Sequence, residues 1–383
     1  MTRALRDALR NVPAVMRGVR WLRRRAHDRA AARWLRNADG IADRFPRGIV
    51  YEATMRCNLR CEFCYVGELL NIEGQWRAEL PLDVLERAFP ERQGLEISLT
   101  GGEIFVRKDI GELLELFRRK GYLCGYLTTN GTLIDEGRAS ALAALAKVGF
   151  LKHVSVSVDG PQDLHDRARG VKGTFERTAA GLRRLRAAAA AAGAPLRVSI
   201  NTTVSEESLE ALDRIVDVAE QLGVAAIGVN HLMFATAGEV AESARLLGTN
   251  VGAIATYVTE NPGVAAARVR EQIEHLTAKC AERGVRFDFR PKVRGDLVEA
   301  YYTPGATLEG RCVYPFKHAR VGFSGKVYFC PFIRVEVGDL SNASLETIWN
   351  SDLYVRLRRT LVEQRIFPVC RRCCKVELEP HAR

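Results

Sequence analysis

Nowhere in 383 residues does the sequence stay apolar for the roughly 18 positions that a membrane-spanning helix needs. The N-terminal stretch also lacks the uninterrupted apolar segment of a secretory signal, because arginines break it every few residues. No aromatic-rich module of the kind that stacks on RNA bases is present, so nucleic acid is not an expected partner. The expected compartment is the cytoplasm. There, ten cysteines point to metal or redox chemistry rather than to disulfides.

Charge of one sign is concentrated rather than spread. Residues 1–47 hold thirteen arginines against four aspartates, a surplus of nine out of a net charge of +11. The remainder of the chain is close to neutral. Leu5, Leu9, Val12, Met16 and Val19 recur at helical spacing between those arginines, Pro13 interrupts the stripe, and Trp21 and Trp34 add aromatic surface. Residues 1–46 therefore read as a basic helical arm. Such an arm suits an anionic lipid surface, an acidic carrier protein or nucleic acid, or a helix packed across the body with its arginines in water.

From Arg47 the pattern alternates. Strand-like runs at 48–54, 94–100, 122–128, 152–159, 196–204 and 224–232 are separated by helix-like segments at 82–89, 110–120, 135–148, 174–193 and 206–222. This order predicts an α/β fold, a partial (β/α)6 TIM-like barrel, with its chemistry at the C-terminal ends of the strands. Residues 241–283 read as helical and 284–290 as a further strand. Past about 300, Tyr, Gly, Pro and Cys become frequent, and a small second domain is expected. The expected division is 1–46 arm, 47–300 barrel and 301–383 cysteine-bearing domain.

The first strand runs directly into Cys57-Asn-Leu-Arg-Cys61-Glu-Phe-Cys64. Three thiolates on one tight loop suit three corners of a [4Fe–4S] cluster, which normally takes four cysteines. The fourth iron would stay open, as the open position of a catalytic metal site does. The competing readings are a zinc site or three unrelated buried cysteines. Zinc favours paired cysteines totalling four ligands.

This loop resembles the signature of the radical S-adenosylmethionine (SAM) superfamily. Three further elements follow in the order that family shows. Phe63 matches the aromatic position that packs near adenine. Thr100-Gly101-Gly102-Glu103 matches the Gly-Gly-Glu motif, and the resemblance implies that Glu103 meets the methionyl ammonium. On His153-Val-Ser-Val-Ser-Val-Asp159, period two puts Ser155, Ser157 and Asp159 on one face. In relatives this strand contacts the ribose, which singles out Ser157 and Asp159. Thr128-Thr129-Asn130-Gly131 resembles the close of the third strand in the same relatives, and reads equally well as a turn.

The tail has its own cysteine spacing. Cys312 is followed by Gly325, then Cys330, then Cys370-Arg-Arg-Cys373-Cys374. This resembles the start of the SPASM domain, and Asp339-Leu340 through Ile348-Trp349-Asn350 resembles the segment linking its cysteine pairs. The spacing leaves ligands for one auxiliary [4Fe–4S] cluster, nearer the shortened "twitch" form, with Cys312, Cys330, Cys370 and Cys373 as the four thiolates. A zinc ribbon on the same four is the alternative. Cys374 could replace Cys373 or stand aside. Cys124 and Cys280 have no partners in sequence and read as core.

The resemblance implies a radical SAM oxidoreductase or C–H-modifying enzyme. It would cleave SAM reductively to a 5′-deoxyadenosyl radical that takes hydrogen from a small-molecule or peptide substrate. A flavodoxin- or ferredoxin-type protein would donate the electron. Net oxidation would need a base, for which Glu239, Asp288 and His231 are candidates. Two other readings are the same chemistry on a lipid-linked substrate, with the arm peripheral to the inner membrane, and a non-catalytic metal-binding interaction protein.

Overall fold

The computed structural model describes residues 29–252, 257–293 and 295–378, together with Leu22, Arg25 and Ala26. Seven parallel strands follow in chain order: β1 (Gly48–Thr54), β2 (Glu96–Gly101), β3 (Leu123–Thr129), β4 (His153–Ser157), β5 (Arg197–Thr203), β6 (Ala226–Asn230) and β7 (Arg286–Arg290). Each pairs with the next, so every crossover carries its helix over the same outer face. Alternation decides which side chains go where. On β4, Val154 and Val156 are fully buried, while Ser155 and Ser157 face the concave side. Behind β1, Tyr51, Phe89, Phe117 and Tyr122 interlock with ring centroids 5.3–6.4 Å apart. Cys124 and Cys280 are buried core residues, as the sequence suggested.

The tail does not form a separate sheet. β9 (His318–Val321) pairs in parallel with β1, and β10 (Lys326–Tyr328) and β11 (Glu336–Asp339) continue outward antiparallel. The result is one ten-stranded sheet, with β1 in its interior and β7 and β11 at its edges. A small ribbon joins β8 (Gly310–Arg311) to β12 (Glu377–Leu378).

Two helical expectations need correction. Residues 241–283 are two helices, Ala237–Leu247 and Ala266–Glu282. Gly248, with φ of +64°, ends the first of them in the left-handed conformation. The single helix expected at 206–222 is a short turn, Glu206–Leu209, then Leu212–Arg214 and Ile215–Gln221. A helix not anticipated, Gln162–Arg169, follows β4.

Of the arm, Leu5, Leu9, Val12, Pro13, Met16, Val19 and Trp21 lie outside the described residues. Residues 29–37 are helical. This helix and the segment after it dock on the tail: buried Trp34 stacks on Phe316 at 5.5 Å, and Trp349 donates its indole N–H to the Arg44 carbonyl at 2.7 Å. Asn350 bonds both the amide and the carbonyl of Ala42. Among the described residues no helix is long and apolar enough to cross a membrane.

Candidate functional site

Cys57, Cys61 and Cys64 sit half-buried on the loop that leaves β1. Backbone contacts shape this loop. The amide of Cys57 donates to Asn71 Oδ1 at 3.0 Å, and the Leu59 amide points at Cys57 Sγ at 3.5 Å. The Gly-Gly-Glu segment braces it. The Gly102 amide donates to the Thr54 carbonyl and the Glu103 amide to the Arg56 carbonyl, both at 2.8 Å. A Cβ on Gly101 or Gly102 would stand 2.2 Å from the carbonyl oxygen of Thr54 or Arg56. The two glycines are thus required by backbone meeting backbone, and both also line the cavity described below.

Glu103 is fully buried, and its carboxylate is already engaged. It accepts from Thr129 Oγ1 at 2.8 Å, the Asn130 amide at 2.7 Å and the Phe105 amide at 3.2 Å. Burial raises its pKa, and those donors oppose the rise. Asn130 in turn donates to Asn58 Oδ1 at 2.9 Å, inside the three-cysteine loop. The Thr128–Gly131 segment therefore positions the loop through the end of β3, beyond making a turn.

Asp159 is also buried and does not line the cavity. It accepts from Arg169 Nε at 2.5 Å and Thr202 Oγ1 at 3.3 Å, and its amide donates to His165 Nδ1 at 3.2 Å. Arg169 is the residue that the sequence reading missed. Its guanidinium donates to Cys61 Sγ at 3.6 Å and lies 5.4 Å from the centre of the Phe63 ring. Burial works against its charge, but Asp159 and Cys61 outweigh burial and push its pKa up. Gly170 lets the end of this helix approach the loop: its φ is +67°, and a Cβ there would stand 2.5 Å from the Arg60 carbonyl. The sequence signal was available as an arginine followed by a glycine, closing a short helix after β4.

The tail cysteines are more enclosed. Cys330, Cys370 and Cys373 are buried, and Cys312 is half-buried. Amides of Tyr314, Ile333 and Lys375 point at Sγ of Cys312, Cys330 and Cys373 at 3.4, 3.1 and 3.5 Å. Arg372 is wholly buried and pins the Cys370–Cys373 turn. It donates to the carbonyls of Tyr301, Thr303 and Ala306 and to the Glu239 carboxylate at 2.8 Å. Glu239 also accepts from the Thr236 amide, so as a candidate base it is fully occupied with structure. Asp288, half-exposed beside Arg290 on β7, and His231 do face the cavity.

One cavity of about 1850 Å³ runs along the concave face of the sheet, from Cys57, Cys61 and Cys64 to Cys374. Phe63, Gly101, Gly102 and Ser157 line it, and Glu103 and Asp159 stand behind its wall. Drug-sized ligand pockets run about 300–1,000 Å³, so this one has room for more than one guest.

Residues 51–219 match the family model of the radical SAM superfamily, and residues 312–374 match that of SPASM, an iron–sulfur cluster-binding domain. This chain belongs to the radical SAM superfamily. Among its relatives is an AdoMet-dependent heme synthase of Oleidesulfovibrio alaskensis, 29% identical over 82% of this chain and 77% of that protein. A protein of the same name from Methanosarcina barkeri is 29% identical over 82% of this chain and 85% of its own length. A PqqA peptide cyclase of Ruegeria pomeroyi is 33% identical over 49% of this chain and 48% of its own. In fold, the chain is similar to Streptococcus suis SuiB bound to S-adenosylmethionine. The TM-score is 0.56 at 18% identity, covering 82% of this chain and 68% of that one.

A radical SAM protein with a SPASM segment uses SAM, a SAM-binding [4Fe–4S] cluster and an auxiliary cluster. The donor sets fit. Burial pushes the Cys57 thiol up to about 11, with Glu103 and the neighbouring thiols adding to it. Burial likewise pushes Cys312 up to about 12 and Cys330 to about 11. Such thiols ionise when a cationic centre meets them. The amides aimed at their sulfurs are the hydrogen bonds that cluster thiolates use. Among the described residues, no three His, Cys, Asp or Glu side chains converge closely enough to hold a single ion. The match of residues 312–374 to an iron–sulfur cluster-binding domain is what favours iron–sulfur over the zinc ribbon for the tail.

Proposed function

We propose that this radical SAM protein cleaves SAM reductively and acts on a C–H bond of a substrate held between the barrel and the tail. The observation that carries the reading is the single cavity joining the three-cysteine loop to Cys374. When bound, the cluster and SAM supply a carbon radical that takes a hydrogen atom.

The chain's own residues have separable parts in this reading. Cys57, Cys61 and Cys64 would hold the SAM-binding cluster, and Cys312, Cys330, Cys370 and Cys373 the auxiliary one. Cys374 faces the cavity, whereas those four tail cysteines do not line it, which favours Cys373 as the fourth ligand. Phe63, Gly101, Gly102 and Ser157 face the SAM site. Arg169, charged and fixed by Asp159, is placed to meet an anionic group beside Cys61. Glu103 and Asp159 act behind the wall as positioning residues. If the substrate is oxidised, Asp288 is the carboxylate on β7 that can accept its proton. A small molecule or a peptide fits this reading, with a flavodoxin- or ferredoxin-type donor.

The test is anaerobic reconstitution, iron and sulfide analysis, and measurement of 5′-deoxyadenosine formed from SAM with dithionite. About eight irons per chain and 5′-deoxyadenosine that disappears in Cys57→Ala are expected. Zinc in place of iron, with no SAM cleavage, would overturn the reading.

A further inference from the structure

The tail thiols are surrounded by more positive charge than the carboxylates beside them neutralise. Arg320 and Arg334, whose charges oppose the burial that raises the Cys330 thiol, share the single carboxylate of Glu52. Arg371 and Arg372, inside the Cys370–Cys373 turn, share that of Glu239. Glu377, which adds to burial in raising the Cys312 thiol, is itself paired with Arg311 at 3.1 Å.

Arg358 is the extreme case. It is wholly buried, and no carboxylate among the described residues pairs with it. It donates to neutral oxygens: the Pro315 carbonyl at 2.9 Å, the Trp349 carbonyl at 2.8 Å and Asn350 Oδ1 at 2.9 Å. Its guanidinium carbon lies 3.9 Å from the centre of the Tyr354 ring and 4.1 Å from that of Trp349. Burial lowers its pKa to about 10, so it stays charged at pH 7. Such contacts hold the group without cancelling its charge, and a buried charge is costly unless paired.

Two chains of contact tie Arg358 to the cysteines. Pro315, whose carbonyl it holds, follows Tyr314, and the Tyr314 amide points at Cys312 Sγ at 3.4 Å. Tyr354, on which it stacks, meets the ring of Phe329 at 5.8 Å, and Phe329 precedes Cys330. Burial raises the Tyr354 phenol to about 12. Arg358 opposes that rise and a Cys330 thiolate adds to it, so both charges reach one hydroxyl.

A cubane cluster held by four thiolates is a net anion, and reduction adds to its negative charge. We infer that Arg358 is a counter-charge for this anion, a positioning residue for the Cys312 and Cys330 segments whose positive charge raises the reduction potential of the tail cluster. The inference rests on the reading of the four tail cysteines as cluster ligands. Net charge around a cluster helps set its potential, and the reduced state gains most from a cation nearby.

The test is a mediated redox titration followed by electron paramagnetic resonance. It uses the full chain reconstituted with Cys57→Ala, Cys61→Ala and Cys64→Ala, so that only the tail cluster is read. Three further substitutions are compared in that background. Asn350→Asp puts a carboxylate where Arg358 already donates and leaves the arginine in place. Arg358→Met removes the charge, and Arg358→Lys keeps it. Asn350→Asp and Arg358→Met should each make reduction at least tenfold less favourable, a potential about 59 mV lower for a one-electron couple. Arg358→Lys should stay near the parent. A purely structural arginine would order them differently, with Lys as damaging as Met and Asn350→Asp without effect. Unchanged potential in Asn350→Asp, in protein that keeps about four irons, would overturn the inference even where Arg358→Met fails to hold its cluster. Absence of tail iron in the chain with Asn350 and Arg358 intact would sink the cluster reading, and the inference with it.

Discussion

The two cysteine sites solve opposite problems with the same side chain. The loop after β1 offers three half-buried thiols to a large cavity and is braced from behind by Glu103, Asn130 and Arg169. The tail offers four thiols, three of them fully enclosed, and its turn is locked by Arg372. An open ligand position allows chemistry, while a closed set holds structure and sets potential. The first site is therefore built from long-range backbone contacts that leave room, and the second from contacts that remove it.

The largest expected effect separates the two sites by substitution. Cys57→Ala, Cys61→Ala or Cys64→Ala should abolish 5′-deoxyadenosine formation and remove about four irons, leaving about four in the tail. Cys312→Ala together with Cys330→Ala should remove the other four, and SAM cleavage without substrate should continue. Loss of SAM cleavage in the tail variant, in protein that retains its fold and its first cluster, would break the distinction.

Next in size is the lock on the tail. Arg372→Met leaves Glu239 buried with only the longer Arg371 contact at 3.3 Å, and three backbone carbonyls without their donor. Breaking a buried pair of this kind costs about 3–5 kcal/mol. Chemical unfolding of the reconstituted protein should show that loss, with release of tail iron ahead of global unfolding. A loss under about 1 kcal/mol would mean the turn is held by its cluster alone.

Acid should reach both sites through buried histidines. Burial lowers His165, behind the Cys61 side, and His231, on the tail side, each to about 4. For His165, Arg169 adds to the lowering while Asp159 opposes it. Both rings are neutral in the fold, and the unfolded chain binds the extra protons. Stability is thus fully present above about pH 6.5 and falls as pH drops toward 4. Each ring contributes roughly 3 kcal/mol over that window. Unfolding midpoints at pH 7 and pH 5 would measure it. His231→Gln should flatten the curve, and an unchanged slope would show that His231 carries no such strain.

What the sequence revealed follows the range of the contacts. Strands β1 to β6 were legible because period and breakers are local, and the Cys57–Cys64 loop because its three cysteines lie within eight residues. The break in residues 241–283 was missed because Gly248 and Pro262-Gly263 sat inside an otherwise periodic run. Arg169 was missed because its contact with Cys61 spans 108 positions. The pairing of β9 with β1, and the sharing of Glu52 between Arg320 and Arg334, span about 270 and depend on which edge of the sheet is free. Gly101 and Gly102 were found for half of their reason: the cavity was foreseen, and the backbone of Thr54–Arg56 pressing on them was not.

That second reason gives the smallest and most local test. In Gly102→Ala the new methyl would stand 2.2 Å from the Arg56 carbonyl oxygen, so the end of β2 and the start of the cysteine loop must separate. Overpacking of this sort costs about 1–3 kcal/mol. The strain falls one residue before Cys57 and beside Glu103, whose carboxylate ties this corner to Asn130 and so to Asn58. The tail, bonded to the sheet through β9 on the opposite side of β1, should not feel it. Reconstituted Gly102→Ala should therefore bind less iron at the first site and keep the auxiliary cluster's spectrum unchanged. Equal loss at both sites would show that the corner supports the whole sheet rather than the loop.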